Sequence, residues 1–170
     1  MPINNQISVS TFQNVDGSNF TTAGAETSIS SDKGSLSFYG GLGTNFTKGS
    51  TGVVFDFKGN VNYGNSHVSG GARIRNIINK DNPAVYARVY PANVNIPLNK
   101  NAKAYLQSYV QTKISYKTGD TKTTFGTIAG LELKVGNTTV IPEMQLCDFT
   151  KINKSTVSGN AIVKIPFKAP

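Results

Sequence analysis

Few residues in this chain could do covalent chemistry. His67 is the single imidazole and Cys147 the single thiol. Neither stands at a spacing that ties it to a Ser, an Asp or a second Cys in a nucleophilic or redox arrangement. A solvated turn histidine and an idle, buried thiol are the readings they support. Glu132 and Glu143 fall on neighbouring segments with a common face, superficially like an acid/base carboxylate pair. Gln107, Lys134 and the arginines are their expected company, which makes a structural network of them. The glycines at 40, 41 and 43 follow no phosphate-loop spacing and open no helix. No catalytic residue, cofactor or metal is expected, and the chain is not read as an enzyme.

Charge is the remaining chemical signal. The 17 Lys and Arg against 9 Asp and Glu give a net charge of +8 and a pI near 9.6. Clustered, such an excess would attract phosphates or anionic surfaces. Here Lys33, Lys48, Lys80, Lys100, Lys117, Lys122, Lys151 and Lys154 are spread over turn-like positions. No basic run interleaves with aromatics and no reading helix can form, so nucleic acid is not an expected partner.

These residues must be positioned by strands, because the apolar pattern has period two. Leu36, Phe38, Gly40, Leu42 and Phe46 alternate with Ser37, Tyr39, Gly41 and Asn45; Val53, Phe55, Phe57 and Val61 alternate with Asp56, Lys58, Asn60 and Asn62. A two-residue Gly49-Ser50 turn of type II′ opposes Phe46 to Val53, Leu42 to Phe57 and Phe38 to Val61. A Gly64-Asn65 turn opposes Val61 to Val68, Phe57 to Ala72 and Phe55 to Ile74, with Asp56 facing Arg73 on the polar side. Turns at Gly119-Asp120 and Gly136-Asn137 make a three-stranded meander with apolar rows Leu106, Leu133, Val140 and Val110, Ala129, Met144. Its polar rows are Gln107, Glu132 and Tyr109, Gly130, Glu143, with Tyr109 lying over Gly130.

Segments 67 to 77, 84 to 98 and 156 to 167 alternate as well, the second with a phase slip at Tyr90-Pro91 that a bulge explains. Segments Gln6 to Val15 and Phe20 to Ser30, joined through Asp16-Gly17, are Ser- and Thr-rich and weakly patterned. The count is about ten antiparallel strands in one all-β domain spanning 1–170, with weakly patterned strands over 1–34 and a regular up-and-down meander over 35–167. The strands approach the roughly 9 to 11 residues that cross a bilayer obliquely, not the roughly 5 or 6 of an average globular strand. Closure into a barrel removes the two long edges an open sheet would expose. No apolar run is long enough for a transmembrane helix or a signal-peptide core, so the chain reads as a mature one.

A closed barrel can turn either face inward. Polar side in, it buries a network drawn from Asp56, Lys58, Arg73, Arg75, Arg88, Gln107, Tyr109, Lys113, Glu132 and Glu143. All three arginines of the chain fall on that face, and arginine suits buried pairing where lysine suits open water. Phe46, Phe55, Tyr116 and Phe125 fall on the other face toward one rim, as an interfacial girdle would. Apolar side in, it is a soluble barrel around an apolar ligand; a structural β-protein of a virion or surface assembly is a third reading.

Over residues 35 to 167 the chain resembles the small outer-membrane β-barrel proteins of bacteria, through its alternating strands, the in-strand glycines Gly40-Gly41 and Gly70-Gly71, and the closing strand Val157 to Phe167. The resemblance implies an outer-membrane location, lipid bilayer or detergent as the main partner, and a structural role or a narrow passive pore for small ions lined by the polar residues above.

Overall fold

The computed structural model describes residues 2–14, 19–63, 67–80, 83–147 and 156–167. They form ten strands: β1 (Ile3–Asn14), β2 (Asn19–Ser31), β3 (Gly34–Asn45), β4 (Ser50–Tyr63), β5 (Val68–Asn79), β6 (Ala84–Asn99), β7 (Ala102–Ser115), β8 (Thr121–Val135), β9 (Thr138–Cys147) and β10 (Thr156–Pro166). Each pairs antiparallel with its neighbours in sequence, and β1 pairs with β10 from Gln6 opposite Pro166 to Asn14 opposite Ser158. The sheet is therefore a closed up-and-down barrel without a free edge, as the alternation predicts. The expected Asp16-Gly17 and Gly64-Asn65 turns lie outside the described residues.

Closure settles which face is inside. Phe38, Leu42, Phe57, Val61, Ile74, Val89, Val94 and Leu106 are exposed on the outside, and every strand contributes at least one such large apolar side chain. Asp56, Gln107, Tyr39, Tyr90 and Tyr109 are buried on the inside. A soluble carrier with a greasy cavity needs the opposite assignment. The interior holds a small packed nucleus, Tyr90, Tyr109 and Ile128 with Tyr105 and Cys147 against it. Cross-strand polar bonds surround it, such as Ser10 with Thr22 at 2.9 Å and Asn60 with Ser35 at 3.2 Å.

Turn chemistry sets the register, and here three expectations are corrected. Leu42 faces Val53 and Phe38 faces Phe57, so Phe38 does not meet Val61. Likewise Leu106 faces Ala129, and Val110 faces Phe125. In both hairpins the left-handed glycine, Gly49 with φ 63° and Gly119 with φ 72°, closes a four-residue loop (46–49, 116–119) where the sequence reading makes it open a two-residue one. Gly119 N donates to Ser115 O at 2.9 Å across that loop. Beyond β4, Phe57 faces Ile74 and Tyr63 faces Val68, again displaced from the expected pairing. Each displacement is even, so no residue changes face, whereas a one-residue slip would turn every side chain over. The Gly136-Asn137 turn is a true two-residue loop with Gly136 at φ 61°, and its expected pairs, Leu133 with Val140 and Ala129 with Met144, are the observed ones.

The phase slip at Tyr90-Pro91 is a bulge: the register of β6 shifts between Val89 and Ala92 against β7, and between Ser69 and Gly71 on the β5 side. Pro91 has no N–H to offer a ladder, which favours an irregularity there. Tyr86, Arg88 and Tyr90 face inward ahead of the bulge, and beyond it Asn93 and Asn95 take the inward row while Ala92 and Val94 face out. Two-residue turns at 32–33, 100–101 and 136–137 occupy one rim, together with the start of β1 and the end of β10; the four-residue loops occupy the other.

Candidate functional site

The inner wall of β4, β5 and β6 concentrates the charge. Asp56, 6% exposed, sits midway along β4. It accepts hydrogen bonds from Arg73 Nε at 2.7 and 2.8 Å, from Arg73 Nη2, and from Arg75 Nε at 2.9 Å. The sequence reading opposes Asp56 to Arg73. In the barrel Asp56 stands opposite Arg75 and Arg73 stands opposite Lys58, and Arg73 reaches the carboxylate along the diagonal. A two-residue displacement of β5 therefore turns an expected pair into a triad, because arginines at 73 and 75 share one face.

Above this triad lie two cations that make no ion pair among the described residues. Lys58 Nζ is 5.6 Å from the centroid of the Tyr90 ring, and Arg88 Cζ is 5.9 Å from the same centroid and 4.2 Å from that of Tyr109. Arg88 Nε also donates to Gln111 Oε1 at 2.8 Å. An aromatic face stabilises a cation where water is scarce but leaves its N–H donors available.

The rest of the inner surface pairs its charges locally. Glu143 accepts from the Tyr105 hydroxyl and from Asn160 Nδ2 at 2.7 Å. Glu132 pairs with Lys103 at 3.0 Å, and Glu26 with Lys164 at 2.9 Å. The expected company of Glu132 and Glu143, namely Gln107, Lys134 and the arginines, is thus replaced by Lys103 for one and by Tyr105 and Asn160 for the other. The two carboxylates sit in separate networks. Tyr109, 2% exposed, accepts from Gln145 Nε2 at 2.7 Å and donates to Cys147 Sγ at 3.1 Å. The thiol is held inside the wall, while His67 lies exposed at a turn.

A cavity of about 700 Å³ lies inside the barrel, lined among others by Asp56, Lys58, Arg73, Arg75, Arg88, Gln107, Glu132 and Glu143. Tyr109 is packed in the wall beneath Arg88, and Lys113 stands over the Tyr86 ring at 5.7 Å. Sequence reasoning misses Tyr90, Lys103 and Asn160. Tyr90 shares the even parity of Tyr86 and Arg88, and a count carried up to Pro91 finds it. Lys103 and Asn160 share the inward parity of Tyr105 and Ser158, and a parity count carried to the strand ends finds them.

Comparison with protein-family models and with curated protein sequences gives no match. Among solved structures, the β domain of the Bordetella autotransporter BrkA aligns over 97% of this chain and 98% of its own, at 10% identity and a TM-score of 0.53. A de novo designed transmembrane β-barrel aligns over 97% and 98%, at 15% identity and a TM-score of 0.44. A loop-deletion mutant of OmpT, an outer membrane protein of Vibrio cholerae, aligns over 88% of this chain and 54% of that one, at 15% identity and a TM-score of 0.42. The shared fold is read from the BrkA domain, and at such identity it is the fold alone: in architecture this chain is similar to the outer-membrane β-barrels.

Proposed function

We propose that this chain is a membrane-embedded β-barrel of the bacterial outer-membrane type, with a polar, charge-networked interior and a structural role or a narrow passive pore. One observation carries the reading: every strand turns large apolar side chains outward, while the three arginines and the charged residues Glu26, Asp56, Lys58, Glu132, Glu143 and Lys164 of the strands line the inside. A soluble monomer rarely exposes a contiguous apolar patch beyond a few hundred Å². A belt running round the whole barrel calls for an apolar solvent, and strands of 10 to 16 residues are long enough to cross one obliquely. Threonine pairs facing outward near the four-residue loops, Thr11 with Thr21, Thr44 with Thr51 and Thr112 with Thr123, bound the belt on that rim. Phe46 and Tyr116 stand exposed beside them, at the level an interfacial girdle would occupy. In barrels of this type tight turns face the periplasm, which assigns the rim with both ends of the barrel to that side.

The test is solubility. Purified without detergent, the chain is expected to aggregate, and to become monomeric and resistant to unfolding in detergent micelles or vesicles. A monomer stable in plain buffer would overturn the reading. Recordings across a planar bilayer then separate its two forms. A weak current marks the passive pore, and silence marks the closed structural barrel, since about eight strands already give an interior that side chains can fill.

A further inference from the structure

The β4–β6 wall has more positive charge than its own network uses. Lys58, Arg73, Arg75 and Arg88 stand there with Asp56 as their one carboxylate, while Glu132, Glu143 and Glu26 on other strands take Lys103, Tyr105 with Asn160, and Lys164. Charged neighbours facing Lys58 across the cavity are Lys164 and Glu143. Asp56 occupies only Nε and Nη2 of Arg73 and Nε of Arg75. Tyr90 also bonds Arg73 and Arg88, and Gln111 takes Nε and Nη2 of Arg88; a guanidinium carries five N–H donors, so these partners do not exhaust the three arginines.

We propose that the lumen holds a small oxyanion of the phosphate type against this wall, with Lys58, Arg73, Arg75 and Arg88 supplying charge and N–H donors. Guanidinium forks match the oxygen spacing of a phosphate or sulfate and give it direction, where a halide needs only charge. The Tyr90 ring holds Lys58 and Arg88 on one platform, so two of the cations are placed in advance.

The experiment is titration calorimetry on the full chain folded in detergent, at fixed ionic strength set with chloride, using inorganic phosphate as probe. Because no bilayer is involved, failure of the membrane reading leaves this outcome readable. Saturable binding of one phosphate per barrel is expected, with sulfate competing. The double variant Lys58→Met, Arg88→Gln should bind at least ~10-fold more weakly, as expected when two charged donors are lost. Lys117→Gln, on an outer loop, should leave it unchanged. Short-chain phosphatidic acid, run in parallel, distinguishes the source. Tighter binding than inorganic phosphate, with the same sensitivity to Lys58 and Arg88, identifies a lipid headgroup; weaker binding identifies the free ion. Three results overturn the site: no saturable binding by the folded wild type, binding that survives the double variant, or displacement by chloride as effective as by sulfate.

Discussion

The Tyr109 ring lies across Gly126 of the adjoining strand. A Cβ built on Gly126 would run into the ring, its hydroxyl and the carbonyl of Leu146. Tyr105 covers Gly130 in the same way two rungs along. Each tyrosine fills the space a missing side chain leaves, which fixes the β7–β8 register from inside the barrel, as aromatics over strand glycines do. Gly126→Val is expected to cost ~1–3 kcal/mol by overpacking. Denaturant unfolding in detergent measures it, and Tyr109→Ala in the same background should recover part of the loss.

Removing the shared carboxylate should be more damaging than removing a rim one. Asp56→Asn leaves Arg73 and Arg75 without a counter-charge in a buried site, a loss of ~3–5 kcal/mol where such pairs are broken from one side. Glu132→Gln breaks a pair whose partner Lys103 is 40% exposed, and surface pairs contribute ~0–1 kcal/mol. Equal effects in unfolding titrations would show that the Asp56 site is as wet as the rim.

Depth along the outer face gives a prediction that only a bilayer explains. Phe57 lies near the middle of β4 and Val135 at the end of β8, and both are exposed outward. Phe57→Arg should destabilise a barrel folded in vesicles by ~2–4 kcal/mol and Val135→Arg by ~0–1 kcal/mol. A barrel that lives in water would show no such gradient.

Gly49 and Gly119 have positive φ, and a methyl group added at either would have nothing within 4 Å. Replacement by Ala therefore meets no clash and reports the backbone alone, at ~1–2 kcal/mol each. Asn, which visits the left-handed region more readily, should be tolerated better at both positions. Thermal unfolding of the four variants checks the order.

The sequence alone determined the strand count, the up-and-down order and the face of each patterned residue, because a period of two is a local property of the chain and survives any even shift in pairing. That is why Asp56, Arg73, Arg75, Arg88, Tyr109 and Glu143 could be grouped before their contacts were known, while their partners could not. Partners depend on register, and register depended on whether a glycine opens a short loop or closes a longer one, a choice that Gly49 and Gly119 make one way and Gly136 the other. Tertiary structure also decided what alternation cannot express: that the polar face is the inner one, since a period of two is the same inside out, and that Asn93 and Asn95 belong to that face, since the bulge at Pro91 moves the inward row of β6 from even to odd residues. The clustering of Lys58 and Arg88 about Tyr90 follows from the pairing of β4, β5 and β6 and the curvature of the barrel, which are relations between strands, absent from any one of them.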